Sequence, residues 1–237
     1  MIRCFLLEPT ERTKVGLRRY TKVQYVDDPD REGRVIETNR EARRCPNMPG
    51  DYSYHTALVW IGTAPSGWNA EERHWEHDES VPDVADVILD PRWPAQCACG
   101  YEFCNCVDPQ CVIDAYQVFT EQIWQRTDTG EEMTIRDAPA GALWYADWLP
   151  VDRWKGPDGK TLVCKTPGGE WIIDGVASNC TMPDDADHRC WMRHGTPPDI
   201  SVDKNPEPPF THTCAAGAGS IQAGSWHGFL TGGELVG

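Results

Sequence analysis

Five cysteines fall within fifteen residues of this chain, Cys97, Cys99, Cys104, Cys106 and Cys111 in the stretch "CACGYEFCNCVDPQC". A thiolate is a soft metal ligand, and zinc takes about four sulfur or nitrogen ligands in a tetrahedron, often from tight turns that set two cysteines side by side. "CACG" has the form of such a knuckle: Cys97 and Cys99 stand close together, and Gly100 lets the backbone turn its N–H groups toward sulfur. One residue separates the thiols here and again in Cys104 and Cys106, where two is the usual spacing. Cys45 and His55, in "CPNMPGDYSYH", are available to complete the coordination. Spacing alone leaves the quartet open, and a site with two metals is possible on this count of donors.

A second set lies toward the C-terminus. Cys164, Cys180, Cys190 and Cys214 are separated by 16, 10 and 24 residues, which matches no ribbon or finger pattern. In an extended strand His188 and Cys190 share a face, and His194 and His227 lie in the same half of the chain. The expected second metal set is therefore Cys164, Cys180, Cys190, Cys214, His188 and His227. The competing expectation for these four cysteines is that of small apolar side chains in a β core. A third chemistry is thiol catalysis, with Cys180 or Cys214 beside His188, His194 or His227 and oriented by Asn179 or Asp187. No nucleophile elbow and no H-E-x-x-H motif supports it. "CAAGAGSI" lacks the lysine of a phosphate loop, and "DDAD" lacks the ligand spacing of a calcium loop.

These residues must be held by the elements around them. "IRCFLLE", "YTKVQYV" and "YHTALVWIG" alternate as strands do. From Ala140 onward, short strands such as "TLVCK", "EWIID" and "DISVDK" are divided by Gly, Pro and Asp clusters, and "SWHGFLTGGELV" reads as a closing hairpin turned by Gly-Gly. Residues 63 to 94 are polar and proline-punctuated, as a long loop or linker would be. One helix is expected over 109 to 126: Asp108 caps it, Pro109 opens it, and Val112, Tyr116, Phe119 and Ile123 form its apolar stripe. Cys111 would then sit in its first turn, where the helix dipole favours a thiolate. The expected class is α+β, a β-rich chain of short strands and hairpins with one principal helix and zinc-knuckle elements. The expected organisation is an N-terminal lobe, 1–139, with the knuckle and helix, and a β-rich C-terminal lobe, 140–237.

At 237 residues and 40% apolar the chain can bury a core, and its eleven tryptophans suit half-buried layers and contact surfaces. The net charge is −15. Residues 1–44 carry 11 Lys+Arg against 8 Asp+Glu, or +3, so the remaining 193 residues carry −18. That field repels phosphate backbones and makes nucleic acid an unexpected partner, except through the basic N-terminal segment. No run reaches the length of a membrane span, and "MIRCFLLE" is too short for the apolar region of a signal peptide. The expected location is the cytoplasm of the producing cell or an assembled virion. Thiols kept reduced there argue for metal binding over disulfides.

The stretches "MIRCFLLEPTER", "RWPAQCACGYEF", "DAPAGALWYADW", "HRCWMRHGTPPDISVDK" and "TCAAGAGSIQAGSWHGFLTGGEL" resemble an uncharacterised family of bacteriophage and prophage proteins from actinobacterial hosts. The resemblance implies a phage origin and no particular activity. Together these readings lead to the expectation of a viral, zinc-stabilised structural protein that binds other phage proteins, a host protein or further copies of itself as a homo-oligomer. Its catalytic alternative is a small metal- or thiol-dependent hydrolase built on the C-terminal His/Cys set.

Overall fold

The computed structural model describes residues 1–39, 41, 44–47, 54–66, 94–103, 114–149, 154–177, 179–214 and 219–237. The first strands are β1 (Ile2–Arg3), β2 (Phe5–Thr21), β3 (Tyr25–Asp27), β4 (Val35–Glu37), β5 (Thr56–Pro65) and β6 (Asp114–Arg126). Next come β7 (Glu132–Met133), β8 (Ala142–Tyr145), β9 (Leu162–Thr166), β10 (Gly169–Ile172), β11 (His188–Arg189) and β12 (Met192–Thr196). The chain closes with β13 (Asp199–Asp203), β14 (His212–Thr213), β15 (Ile221–Ala223), β16 (Trp226–Thr231) and β17 (Glu234–Val236). These residues gather into two compact units, Met1–Thr10 with Ile123–Gly237, and Glu11–Gln122.

No helical element occurs among the described residues, which are β-rich, so the α+β class with its principal helix is corrected. Over Asp114–Arg126 the helix expected at 109–126 is a strand. The reason is composition: Tyr116, Val118, Phe119, Thr120, Ile123 and Trp124 are β-branched or aromatic, and such side chains favour a pleated, packed surface. Three- and four-residue apolar spacing does not exclude a strand that is covered on both sides. Ile123 and Trp124, consecutive and so on opposite faces, are both buried. Phe119 is half-buried. Residues 109–113, with the start of the expected helix, lie outside the described residues, as does the side chain of Tyr116.

In the first unit the alternation of strand side chains builds two cores on one sheet. β9 pairs antiparallel with β8 and β10, and the start of β2 pairs parallel with β8 through Phe5↔Ala142 and Leu6↔Leu143. Cys4, Leu143, Leu162 and Cys164 point into one core with Ile200, Ile221, Leu230 and Leu235. Phe5, Leu7, Trp144 and Val163 point into the other with Trp124 and Ala138. A second sheet, in the order β1-β17-β16-β15, covers the first core with its inner face. The expected closing hairpin is present as β16–β17. Gly232 and Gly233 at its turn have φ of 56° and 75°, the left-handed pair that matches strand twist.

The β9–β10 turn is equally tight. A Cβ on Gly168 would fall inside the van der Waals envelope of the Ala223 carbonyl oxygen, a backbone atom that cannot swing aside. Gly168→Ala is therefore expected to destabilise the protein by the upper end of about 1–3 kcal/mol, read as a lower urea midpoint. An unchanged midpoint would show that the turn is looser than described.

In the second unit β2 and β5 pair antiparallel from Arg12↔Pro65 to Tyr20↔Thr56, with an irregularity between Val15 and Gly16. Val15 and Leu17 are fully buried on one face of β2. β3 and β4 form a separate hairpin whose Tyr25, Val26, Val35 and Ile36 are exposed.

Candidate metal centres

Each unit brings together one group of three cysteines and one histidine. Cys45, His55, Cys97 and Cys99 form the first and Cys180, His188, Cys190 and Cys214 the second, with donor atoms lying within 4.8 Å of one another in each group. Either set could hold a metal ion such as zinc.

The first centre, in the second unit, is built by a turn, a strand start and a loop. The chain turns at Cys97–Gly100, where Gly100 N–H donates to the Cys97 carbonyl at 2.8 Å and Gly100 has a φ of 91°. Cys97 N–H donates to Tyr101 O and Phe103 N–H to Ala95 O, which closes the knuckle. His55 immediately precedes β5 and is clamped to the end of β2. Its carbonyl accepts from Thr21 N–H, and its own N–H donates to Thr21 Oγ1 at 3.2 Å. The imidazole stacks on Tyr101 with centroids 4.0 Å apart and aims Nδ1 at Cys99 Sγ, 3.1 Å away.

Cys45 Sγ and Cys97 Sγ lie 3.8 Å apart. That is about the 3.8 Å edge of a tetrahedron with Zn–S bonds of ~2.3 Å, and well beyond a disulfide bond of ~2.05 Å. Burial pushes the Cys97 thiol up, but N–H donors from Cys99 and Thr56, with the His55 and Cys99 side chains, bring it down to about 6. Cys45 is raised, chiefly by burial, although Asn47 N–H donates to its sulfur. Donors pointing at sulfur are what a bound thiolate requires.

The second centre, in the first unit, depends on a pairing of distant segments. β11 and β14 run parallel with His188↔His212 and Arg189↔Thr213 in register. Cys190 follows one strand and Cys214 the other, so the ladder delivers two thiols side by side. His188, two residues before Cys190, lies on the same face. Cys180 arrives on a turn closed by its N–H donating to Ala177 O at 3.0 Å. Sulfur again receives backbone donors, Ala177 N–H to Cys190 at 3.1 Å and Thr181 N–H to Cys214 at 3.4 Å. Burial, with Cys180 and Cys214 as neighbours, pushes Cys190 up to about 12 despite the Ala177 donor.

His188 Nδ1 is held by the Asp185 carbonyl, which places the proton on Nδ1 and leaves the Nε2 lone pair facing Cys180 Sγ at 3.2 Å. This is the outer hydrogen bond that fixes the tautomer of a metal-binding histidine.

No known protein family, curated protein or solved structure matches this chain.

Several residues of the two expected sets lie elsewhere. Cys164 is wholly buried in the core against Cys4, and the hydrogen bond to Cys4 and burial together raise its thiol. His227 is on the exposed face of β16, outside the second group. Cys104, Cys106 and Cys111 lie outside the described residues. His194, a candidate for the catalytic reading, is held by two carboxylates, Glu207 at 2.6 Å from Nδ1 and Asp203 at 2.8 Å from Nε2. Of the proposed orienting groups, Asn179 is exposed, and the His188 Nδ1 that such a group would hold is on the Asp185 carbonyl.

The His194 arrangement has a pH signature. Burial opposes its charge, but Glu207 and Asp203 outweigh burial and lift the imidazole above its ordinary value near 6.5. A raised folded-state pKa gives stability that is complete below about pH 6.5 and is lost as pH climbs through the folded value. The three side chains are partly exposed, which keeps the contribution below about 1 kcal/mol. Urea unfolding of the wild type should show this loss between mildly acidic and mildly alkaline pH, and His194→Gln should remove it. A pH slope that survives in the variant would assign it to other groups.

Sequence reasoning gave no hint of one further cluster. Arg193, almost fully buried, donates to Asp158 at 2.7 and 2.9 Å and to Asp174 at 3.1 and 3.2 Å. The three residues lie in unrelated motifs, and no local pattern connects them.

Proposed function

We propose that this is a phage-encoded protein, stabilised by two structural zinc ions, that works by binding other proteins of the virion or of the host. The observation that carries the reading is the composition of the two centres. Three sulfurs and one imidazole fill a tetrahedral zinc shell, and a filled shell leaves no position for a water or a substrate. Catalytic zinc needs that open position. Soft donors select zinc over calcium or magnesium, which take oxygen. The phage origin in this reading rests only on the five sequence stretches quoted above, since no known family matches the chain.

Among the described residues no helix is long and apolar enough to cross a membrane. Large apolar side chains stand in solvent at Tyr25, 61% exposed, and Trp148, 59% exposed. Exposed aromatics of this kind are favoured as contact anchors between proteins. Photo-crosslinking residues at positions 25 and 148 of the zinc-loaded chain, expressed in an infected actinobacterial host, are expected to capture a discrete phage or host protein. Crosslinks to nothing beyond the background of an uninfected, unrelated acidic protein would contradict the binding role.

The hydrolase reading has one observation in its favour, the half-buried Cys180 with His188 at 3.2 Å. A thiol-reactive probe separates the two. Structural zinc predicts uniformly slow labelling that accelerates at several cysteines together when a chelator is added. Rapid labelling of Cys180 alone, lost in His188→Ala, is the result a catalytic thiol would give.

A further inference from the structure

Beside the second centre lies a cavity of about 600 Å³, within the usual range for small-ligand sites. Its wall contains a buried guanidinium, that of Arg189, 7% exposed, and the ammonium-bearing Lys155 stands at its rim. Apolar surface comes from Phe210 and from Pro157, Pro183 and Pro209. Arg189 lies 4.1 Å over the Phe210 ring and donates to the Lys155 carbonyl, so its planar fork is fixed in place. The loop that carries Lys155, Gly156 and Gly159 is pinned as well, by Arg193 donating to Asp158.

We propose that this cavity binds a short peptide segment of a partner protein, taking a carboxylate on Arg189 and Lys155 and an apolar side chain against Phe210 and the prolines. The proposal rests on the reading of the protein as a protein-binding one and names the chemistry of one contact. A fixed, desolvated guanidinium matches a carboxylate through two parallel N–H···O bonds. Extended peptides offering a terminal carboxylate are recognised in this way by donors set in a concave site. Asp184 and Asp185 also line the cavity, and their charge disfavours a doubly charged phosphate while tolerating a single carboxylate beside two cations.

The metal builds the site without doing its chemistry. Of the four ligand side chains of the centre, His188 alone lines the cavity; no cysteine among the described residues does. His188 is held to the Asp185 carbonyl, and Arg189 is its chain neighbour, so an ordered centre fixes this part of the cavity lining.

The test is an NMR titration of the zinc-loaded full-length chain with N-acetyl-leucyl-phenylalanine and, separately, its C-terminal amide. The free acid is expected to move the Arg189 Nε–H and Phe210 ring signals to saturation, and the amide to bind at least about tenfold more weakly. Lys155→Gln, a rim substitution that leaves the buried contacts intact, should weaken the acid several-fold, and Arg189→Lys should weaken it further by removing the fork. Inorganic phosphate should not displace the dipeptide. The proposal fails if neither dipeptide moves these signals, if acid and amide bind alike, or if phosphate competes. Crosslinking at positions 25 and 148, both outside this cavity, reports separately on the protein-binding role, so a failed titration with persistent crosslinks would reject this site alone.

Discussion

Chelating the metal from the loaded protein is expected to unfold both centres and to abolish cooperative thermal unfolding. Binding of a structural zinc by folded ligands contributes on the order of 10–16 kcal/mol, whereas a whole domain is stable by only about 5–15 kcal/mol. Removing two such ions therefore exceeds what the apolar cores can offset. The second unit should suffer most: Cys45 and Cys97 themselves make up most of the small cluster they share with Phe103, so the metal and that cluster are one feature. The first unit keeps two larger clusters around Leu143, Leu162 and Trp144, and some β9–β10 protection should survive there. Hydrogen exchange with and without chelator measures this directly. Native protection across β5 in demonstrably metal-free protein would show that the thiols are merely packed.

Substituting a single ligand is expected to remove one metal ion and leave the other. Cys190→Ser should lower the zinc content from two ions to one and release exchange protection around β11 and β14, with no loss at Cys97 or His55. Cys97→Ser should do the reverse. Cys164→Ser is the control, because the same chemical change falls on a fully buried thiol outside either group. It should retain both ions and cost about 1–3 kcal/mol, the penalty for seating a hydroxyl in an apolar core. Loss of an ion in Cys164→Ser, or retention of two in Cys190→Ser, would show that the ligand sets are drawn wrongly.

The pattern of legibility follows from what each feature depends on. The short strands after Ala140 and the Gly-Gly hairpin are local, and alternation with turn residues announces them. The knuckle at Cys97 and Cys99 is local too, since a tight turn needs only its own glycine. The strand at Asp114–Arg126 differs from the expected helix because a spacing of three and four residues suits a helical stripe and also a strand covered on both faces. Its β-branched and aromatic content was the better guide. The second centre could not be singled out from its candidates. Cys190 and Cys214 meet through the parallel pairing of β11 with β14, a long-range contact with no sequence signature. Cys164, equally plausible by type, sits on β9 facing Cys4 and the core. The Arg193 cluster was invisible for the same reason, joining positions 158, 174 and 193 only after folding.

Two closed shells, each of three sulfurs and one nitrogen, are proposed to hold zinc in this protein. X-ray absorption at the zinc edge of the loaded, full-length chain tests this most directly. The expected result is an average shell of three sulfurs at ~2.3 Å and one nitrogen at ~2.0–2.1 Å, with no water oxygen. A shell dominated by oxygen, an open three-ligand shell, or protein that takes up no zinc would contradict it.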